Sequence, residues 1–366
     1  METGLIHVPY TKPGTSARAT FDYAIQHAIE CDQAGVAEMM IAEHATQAWE
    51  NIPNPELVIA AAARETTRIK FAPMAHLLPY HNPASLAIQV GWLSQILQGR
   101  YFLGIGAGAY LYDSILRGIP DMKEHPARVA EAFEIMKKVW KREPFMFKGK
   151  YFSGGFPEQT GEDEQHLIGD YSPWGGKLEI ACTGLSKNSP SMKFAGEQGL
   201  MPVSIYSGSA VLRTHWETYE KGCLAAGRKP DRSKYHVSQN ILVADSDKEA
   251  QKLFLEGGMG YCWEHYLWPI YNRFGLLDGH IEDLGASKAD VDLKWIMNNV
   301  CIVGSPDTVV RKINNLFELC GGWGVLQIQS FDYSDNPKPW FESIRRMVKE
   351  VAPRVKLPFA AEKTAV

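Results

Sequence analysis

The residues best suited to chemistry follow directly on short apolar runs. Glu43-His44 closes one such run, and His76 and His81-Asn82 follow another. Gly106-Ala107-Gly108-Ala109-Tyr110 and Thr183-Gly184-Leu185-Ser186-Lys187-Asn188-Ser189 follow two more. A histidine beside a carboxylate suits acid–base work, because the carboxylate can set the imidazole tautomer and raise its basicity. The same dipeptide recurs at Glu264-His265, and a hydrogen-bonded structural pair is the other reading of either copy. Its place after a strand-like run favours function for Glu43-His44, with His44 as the active group and Glu43 as its orienting partner.

Two loops suggest a ligand. Leu103–Ala109 (LGIGAGA) matches a dinucleotide fingerprint in letters only, since that fingerprint belongs to a first strand and opens a helix at once. A backbone with few side chains, which a flat ring can approach closely, is the better reading, and tight packing is the alternative. Thr183–Ser191 is rich in hydroxyls and amides and enters a helix near Ser189-Pro190, which makes an anion site. Lys187 or Lys193 can add charge there, and a richly decorated N-cap is the alternative. No metal is expected: His7 lacks a second ligand beyond Pro9, and no carboxylate–His–His set stands at ligand spacing.

These residues need a frame, and strand-like and helix-like segments alternate along the whole chain. Short apolar runs at Gly4–Val8, Ala37–Ala42, Ile69–Leu78, Tyr101–Ile105, Leu178–Cys182, Pro202–Tyr206, Tyr235–Val243 and Gly324–Gln329 read as strands. Stretches of helical period separate them, and starts such as Asn54-Pro55, Asn82-Pro83 and Ser305-Pro306-Asp307 read as caps. Eight strand–helix units predict a closed (β/α)8 barrel, with an open doubly wound sheet as the alternative. The chain is expected to be a single barrel domain over 1–366, with its working face at the C-terminal strand ends. Insertions are expected before strand five (Pro144–Lys177) and between strands seven and eight (Gly257–Val300).

Bulk properties exclude several classes. The formal net charge of −4 carries no basic stripe, which argues against nucleic acid or an anionic membrane surface. No uninterrupted apolar segment reaches spanning length, and a cytoplasmic location is expected. The 6 cysteines are widely spread and read as small buried hydrophobes.

Taken together, the residues resemble the bacterial luciferase-like family of flavin-dependent monooxygenases. The likeness rests on IAEHATQAWENIPNPELVIAAAA, KFAPMAHLLPYHNPASLA, GRYFLGIGAGAY, CTGLSKNSPSMKFAGEQG and VGSPDTVVRKI, and covers nearly the whole chain. Within the family, AWENIPNPEL, FAPMAHLLPYHNP, GWLSQILQGRYFLGIGAGAY and SPWGG look most like diketocamphane monooxygenases, a group of type II Baeyer–Villiger enzymes. The resemblance implies FMN, bound as FMNH2 from a separate NAD(P)H:flavin reductase, O2 as co-substrate and a homodimer of barrels. It implies oxygenation of a small cyclic ketone to a lactone through a flavin C4a-peroxide. Epoxidation, hydroxylation or sulfoxidation, or a deazaflavin-dependent dehydrogenation, are the alternatives on this scaffold. It places the ring near Met74, Ala75 and His76, with a non-prolyl cis peptide at Met74–Ala75, and against Gly106 and Ala107. The phosphate falls on Thr183, Asn188, Ser189 and Ser191, although luciferases place an arginine where this chain has Ala107. The expected substrate pocket comprises His7, Trp49, Tyr110, Tyr206 and Trp263, with the aromatic inserts at Tyr151-Phe152 and Tyr261–Trp268 completing lid and pocket.

Overall fold

A computed structural model describes residues 1–158, 169–205 and 208–356. The strands are β1 (Glu2–His7), β2 (Glu38–Ile41), β3 (Lys70–Pro73), β4 (Leu103–Gly106), β5 (Ile180–Gly184), β6 (Met201–Ser204), β7 (His236–Gln239) and β8 (Val325–Gln329). They form one sheet in the order β3-β2-β1-β8-β7-β6-β5-β4, with every neighbouring pair parallel. The short run His76–Leu77, which continues β3 beyond Met74-Ala75, pairs with β4 and brings the two ends of the sheet together. A bridge from Phe71 to Tyr101 supports the same closure. The barrel expectation holds.

Between strands the chain returns through helices, including α1 (Ala17–Ala34), α2 (Pro55–Glu65), α3 (Pro83–Leu97), α4 (Leu111–Leu116), α5 (His125–Lys141), α6 (Pro190–Gln198) and α7 (Ser209–Ala225). Their starts obey local chemistry. Asn82 caps α3 by accepting from the Ser85 amide with Pro83 in the first turn, and Ser16 caps α1 through the Ala19 amide. The run read as one strand over Tyr235–Val243 breaks at Asn240, and its second half, Ile241–Val243, pairs with Ile302–Gly304 outside the barrel. The first insertion contains a hairpin, Phe145–Lys148 with Ser153–Phe156. The second is helical and includes a π-helical stretch at Trp263–Leu267, a form often found at functional sites.

Side-chain alternation decides which residues face the barrel interior. A Cβ at Gly4 would collide with the Gln327 side chain, so both point inward, and Gly4 is in register with Glu38. Glu38 also pairs with His236 Nε2 at 3.0 Å, which gives the barrel a polar floor. Met40 is on this inner set, since its methyl lies 3.5 Å from where a Gly104 Cβ would stand. The other parity, including Leu5, His7, Met39 and Ile41, therefore faces the helices.

Candidate active site

At the C-terminal mouth, parity separates two residues that are adjacent in sequence. His44 continues the inward set of Met40 and Ala42, while Glu43 continues the outward set of Met39 and Ile41. The expectation that Glu43 orients His44 is therefore corrected. Glu43 instead accepts from His76 Nδ1 and His81 Nε2, both at 2.8 Å. His76 is in register with Ile105, and Ile105 with Cys182, whose thiol reaches the Ser191 carbonyl of α6 on the helix side. Glu43, His76 and His81 thus form a brace behind the sheet, with their three donor atoms within 4.8 Å of one another. No spacing in the sequence shows that carboxylate–His–His set. Both imidazoles aim N–H groups at the carboxylate, so the trio is closed on itself. Burial pushes the Glu43 carboxyl up, but the two histidine hydrogen bonds outweigh it and hold the group down at about 2.

His44 has other partners. Its Nε2 lies 3.2 Å from Glu50 Oε2 and its Nδ1 3.4 Å from Asp113 Oδ2. Asp113 stands in the first turn of α4, where an acid is favourable. Its Oδ1 accepts from the Thr46 amide at 2.8 Å, the Thr46 hydroxyl at 2.7 Å and the Ala45 amide at 3.3 Å. Glu50 Oε1 accepts from the Tyr266 hydroxyl at 2.8 Å and the Tyr110 hydroxyl at 3.1 Å. Burial works against a charged His44, yet Glu50 and Asp113 outweigh it and raise its pKa above the ordinary value. Those contacts hold Asp113 at about 2, against the upward push of burial.

Around this centre the walls are aromatic. Tyr110 meets His44 edge-on at 4.9 Å, and Trp49 stacks on Tyr266 at 5.2 Å. Trp49 and Tyr110 therefore both stand at the mouth around His44. His7 does not: it faces α1, 4.8 Å from the His27 ring, because β1 alternation turns it away from the interior. Its place in the substrate pocket is corrected. Trp263 is fully buried against Tyr271, whereas Tyr266 of the same insertion reaches Glu50 and Trp49 at the mouth. Tyr206 lies outside the described residues. Tyr151 and Phe152 line an apolar cavity of about 390 Å³ with Ile88 of α3 and Val139 of α5.

Next to His44 the barrel offers a bare wall. A Cβ at Gly106 would stand 3.2 Å from both the Ala75 Cβ and the Thr183 hydroxyl, which brings three expected cofactor contacts together. The Met74–Ala75 peptide is cis. Ala107 follows Gly106, and Gly108 has φ 82°, a conformation that glycine adopts freely. Beside it, at the end of the neighbouring strand β5, lies the Thr183–Ser191 loop. Asn188 takes φ 55°, and Ser189, buried at the N-cap of α6, makes no side-chain bond to its own helix. The helix amides and the Ser189 and Ser191 hydroxyls suit an anion. Below the loop, His215 of α7 donates from Nε2 to the Ser186 carbonyl at 2.7 Å and pairs with Ser204 through Nδ1 at 2.7 Å. A small-residue wall for a flat ring, leading to a helix terminus for a phosphate, fits a phosphate-bearing flavin such as FMN.

Sequence reasoning missed Glu50, Asp113 and His215, and named Tyr266 only as part of the aromatic segment Tyr261–Trp268. Only Asp113 carries a local signal, an acid in the first turn of a helix, and that signal belongs equally to ordinary capping.

The chain is similar to several known proteins. Residues 1–321 match the model of the luciferase-like monooxygenase family. A 3,6-diketocamphane 1,6-monooxygenase of Pseudomonas putida is 55% identical, over 98% of this chain and 99% of that protein. A 2,5-diketocamphane 1,2-monooxygenase of the same organism is 49% identical, over 97% and 99%. The solved structure of the oxygenating constituent of 3,6-diketocamphane monooxygenase, a type II Baeyer–Villiger monooxygenase in complex with FMN, superposes with a TM-score of 0.94. It shares 57% identity and covers 98% of this chain and 99% of that one.

Proposed function

The chain belongs to the luciferase-like monooxygenase family, and from that premise we propose that it is the oxygenating component of a two-component monooxygenase. It takes FMNH2 from a separate NAD(P)H-dependent reductase and inserts one atom of O2 into a small cyclic ketone, giving a lactone. The observation that carries this reading is 55% identity, essentially end to end, with an enzyme named for that substrate class. The aromatic mouth and the bare Gly106 wall support it.

Bound FMNH2 supplies the electrons and the place where O2 is activated. The chain does the rest. Gly106, Ala107 and the Met74–Ala75 backbone give the ring a side-chain-free seat, with the His76 side chain holding that turn from behind through Glu43. Thr183, Asn188, Ser189 and Ser191 hold the ribityl phosphate end. Trp49, Tyr110 and Tyr266 keep water from the reacting atoms and present an apolar surface to the ketone. His44 stands at the mouth as the group that meets charge developing on oxygen.

The whole chain acts as one barrel domain, since strands from both ends share one sheet. Ile88, Trp92 and Ile96 form an exposed apolar row on α3, with Leu57 exposed on α2. This row supports a homodimer docked through these helices, and Trp92→Glu should shift the protein to monomers in analytical ultracentrifugation. Unchanged sedimentation would place the interface elsewhere. A location in the cytoplasm completes the proposal. No helix among the described residues is long and apolar enough to cross a membrane.

The deciding experiment supplies the protein with a flavin reductase, NADH, FMN and ¹⁸O2, together with bicyclic diketones, alkenes and sulfides in parallel. A lactone carrying one ¹⁸O is expected from the ketone alone. Epoxide or sulfoxide in place of lactone would replace the ketone reading, and turnover without O2 would replace oxygenation itself.

A further inference from the structure

The His44 cluster holds more information than the identity of its members. A neutral imidazole carries one N–H and one lone pair, and an ionised carboxylate only accepts. Both nitrogens of His44 face carboxylate oxygens, so the proton count turns on whether either carboxylate is itself protonated. Asp113 Oδ1 already takes three donors, from the Ala45 amide and from the amide and hydroxyl of Thr46. Glu50 Oε1 takes two phenolic donors, from Tyr110 and Tyr266. In each carboxylate those donors sit on one oxygen, so the other oxygen, Asp113 Oδ2 or Glu50 Oε2, faces the ring as an acceptor. A single proton on the ring would then leave its lone pair against a carboxylate, which is repulsive.

We infer that Glu50 and Asp113 are positioning residues that hold the His44 ring doubly protonated, so that His44 serves as an N–H donor to negative charge on a substrate oxygen rather than as a proton acceptor. This inference rests on the reading of the mouth as the place where the ketone reacts. The two distances, 3.2 and 3.4 Å, exceed the roughly 2.7–2.9 Å of a tight charge-assisted bond. Either N–H therefore has room to be shared with a third oxygen without breaking the clamp. The charged groups around the ring are Glu50 and Asp113 in contact, Glu43 behind the strand and Arg117, which donates to the Asp113 carbonyl. Tyr110 and Tyr266 complete the shell as neutral phenols. The cluster also ties three segments together, because Glu50 joins the loop after β2 to the loop after β4 and to the insertion carrying Tyr266.

The test needs no cofactor. Protein labelled with ¹⁵N-histidine is titrated by NMR, with His44→Gln identifying the His44 signals among those of the 11 histidines. Both His44 nitrogens should report protonation to above the ordinary histidine midpoint of about 6.5. Glu50→Gln should lower that midpoint by about one pH unit, a tenfold loss of proton affinity. In steady-state lactone formation, the alkaline fall in rate should move to lower pH in the same variant. Titration of wild-type His44 at or below about 6.5 would overturn the inference without any variant. So would an unmoved midpoint in folded Glu50→Gln. Failure of the ketone assignment would appear separately, as absence of lactone from a protein whose His44 titrates as expected.

Discussion

The molecule holds two histidine–carboxylate clusters whose central members, Glu43 and His44, are neighbours in the chain. In the mouth, one imidazole lies between two carboxylates, and the spare lone pairs are taken up by Thr46, Tyr110 and Tyr266. Behind the sheet, one carboxylate lies between two imidazoles, with Glu43 and His76 each about 1% exposed. The same residue types serve opposite ends. The rear trio is closed, each proton already spent on its own carboxylate, and it fastens the end of β2 to the turn that follows Met74-Ala75. The mouth cluster is partly open, carries net negative charge around a positive ring, and is walled by aromatic side chains. Composition alone does not distinguish chemistry from bracing. The face of the strand does.

Breaking each cluster should give different phenotypes. His44→Ala should lower lactone formation by about 10²–10³-fold, with more hydrogen peroxide released and FMN binding retained. Full product yield would remove His44 from the reaction. Glu43→Ala leaves the buried His76 and the half-buried His81 imidazoles without their acceptor and should cost about 3 kcal/mol of folding stability in urea unfolding. Should Glu43→Ala instead match the His44 variant in activity with normal stability, the contrast between the clusters fails. The smallest effect is expected on the far side of the wall. Ser189→Ala with Ser191→Ala should weaken FMN binding by about tenfold, equal to losing roughly 1.4 kcal/mol of hydrogen bonding to the phosphate. Fluorescence titration with FMN reads this directly, and unaltered affinity would move the phosphate off the α6 terminus.

Much of the architecture was legible because its signals are local. Apolar runs, Pro and Asn caps and helical periods are written over a few residues each, so the βα alternation and the C-terminal face followed without tertiary information. The cis Met74–Ala75 peptide, the Gly106–Ala107 wall and the family itself were readable through resemblance. The split at Asn240 was not, because an apolar run carries no mark of where pairing changes partner.

The candidate site divides in the same way. By itself the sequence determined the fold class, the loops that bear polar groups and the presence of His44 among them. Only the tertiary structure decided which carboxylates His44 meets. Its partner Asp113 is 69 residues away, and Tyr266 reaches Glu50 from 216 residues away. Only the structure turned Glu43, His7 and His76 toward the helices. The physical reason is that a strand sends successive side chains to opposite faces, so neighbours in sequence are separated in space, while barrel closure brings distant loop ends together over one mouth.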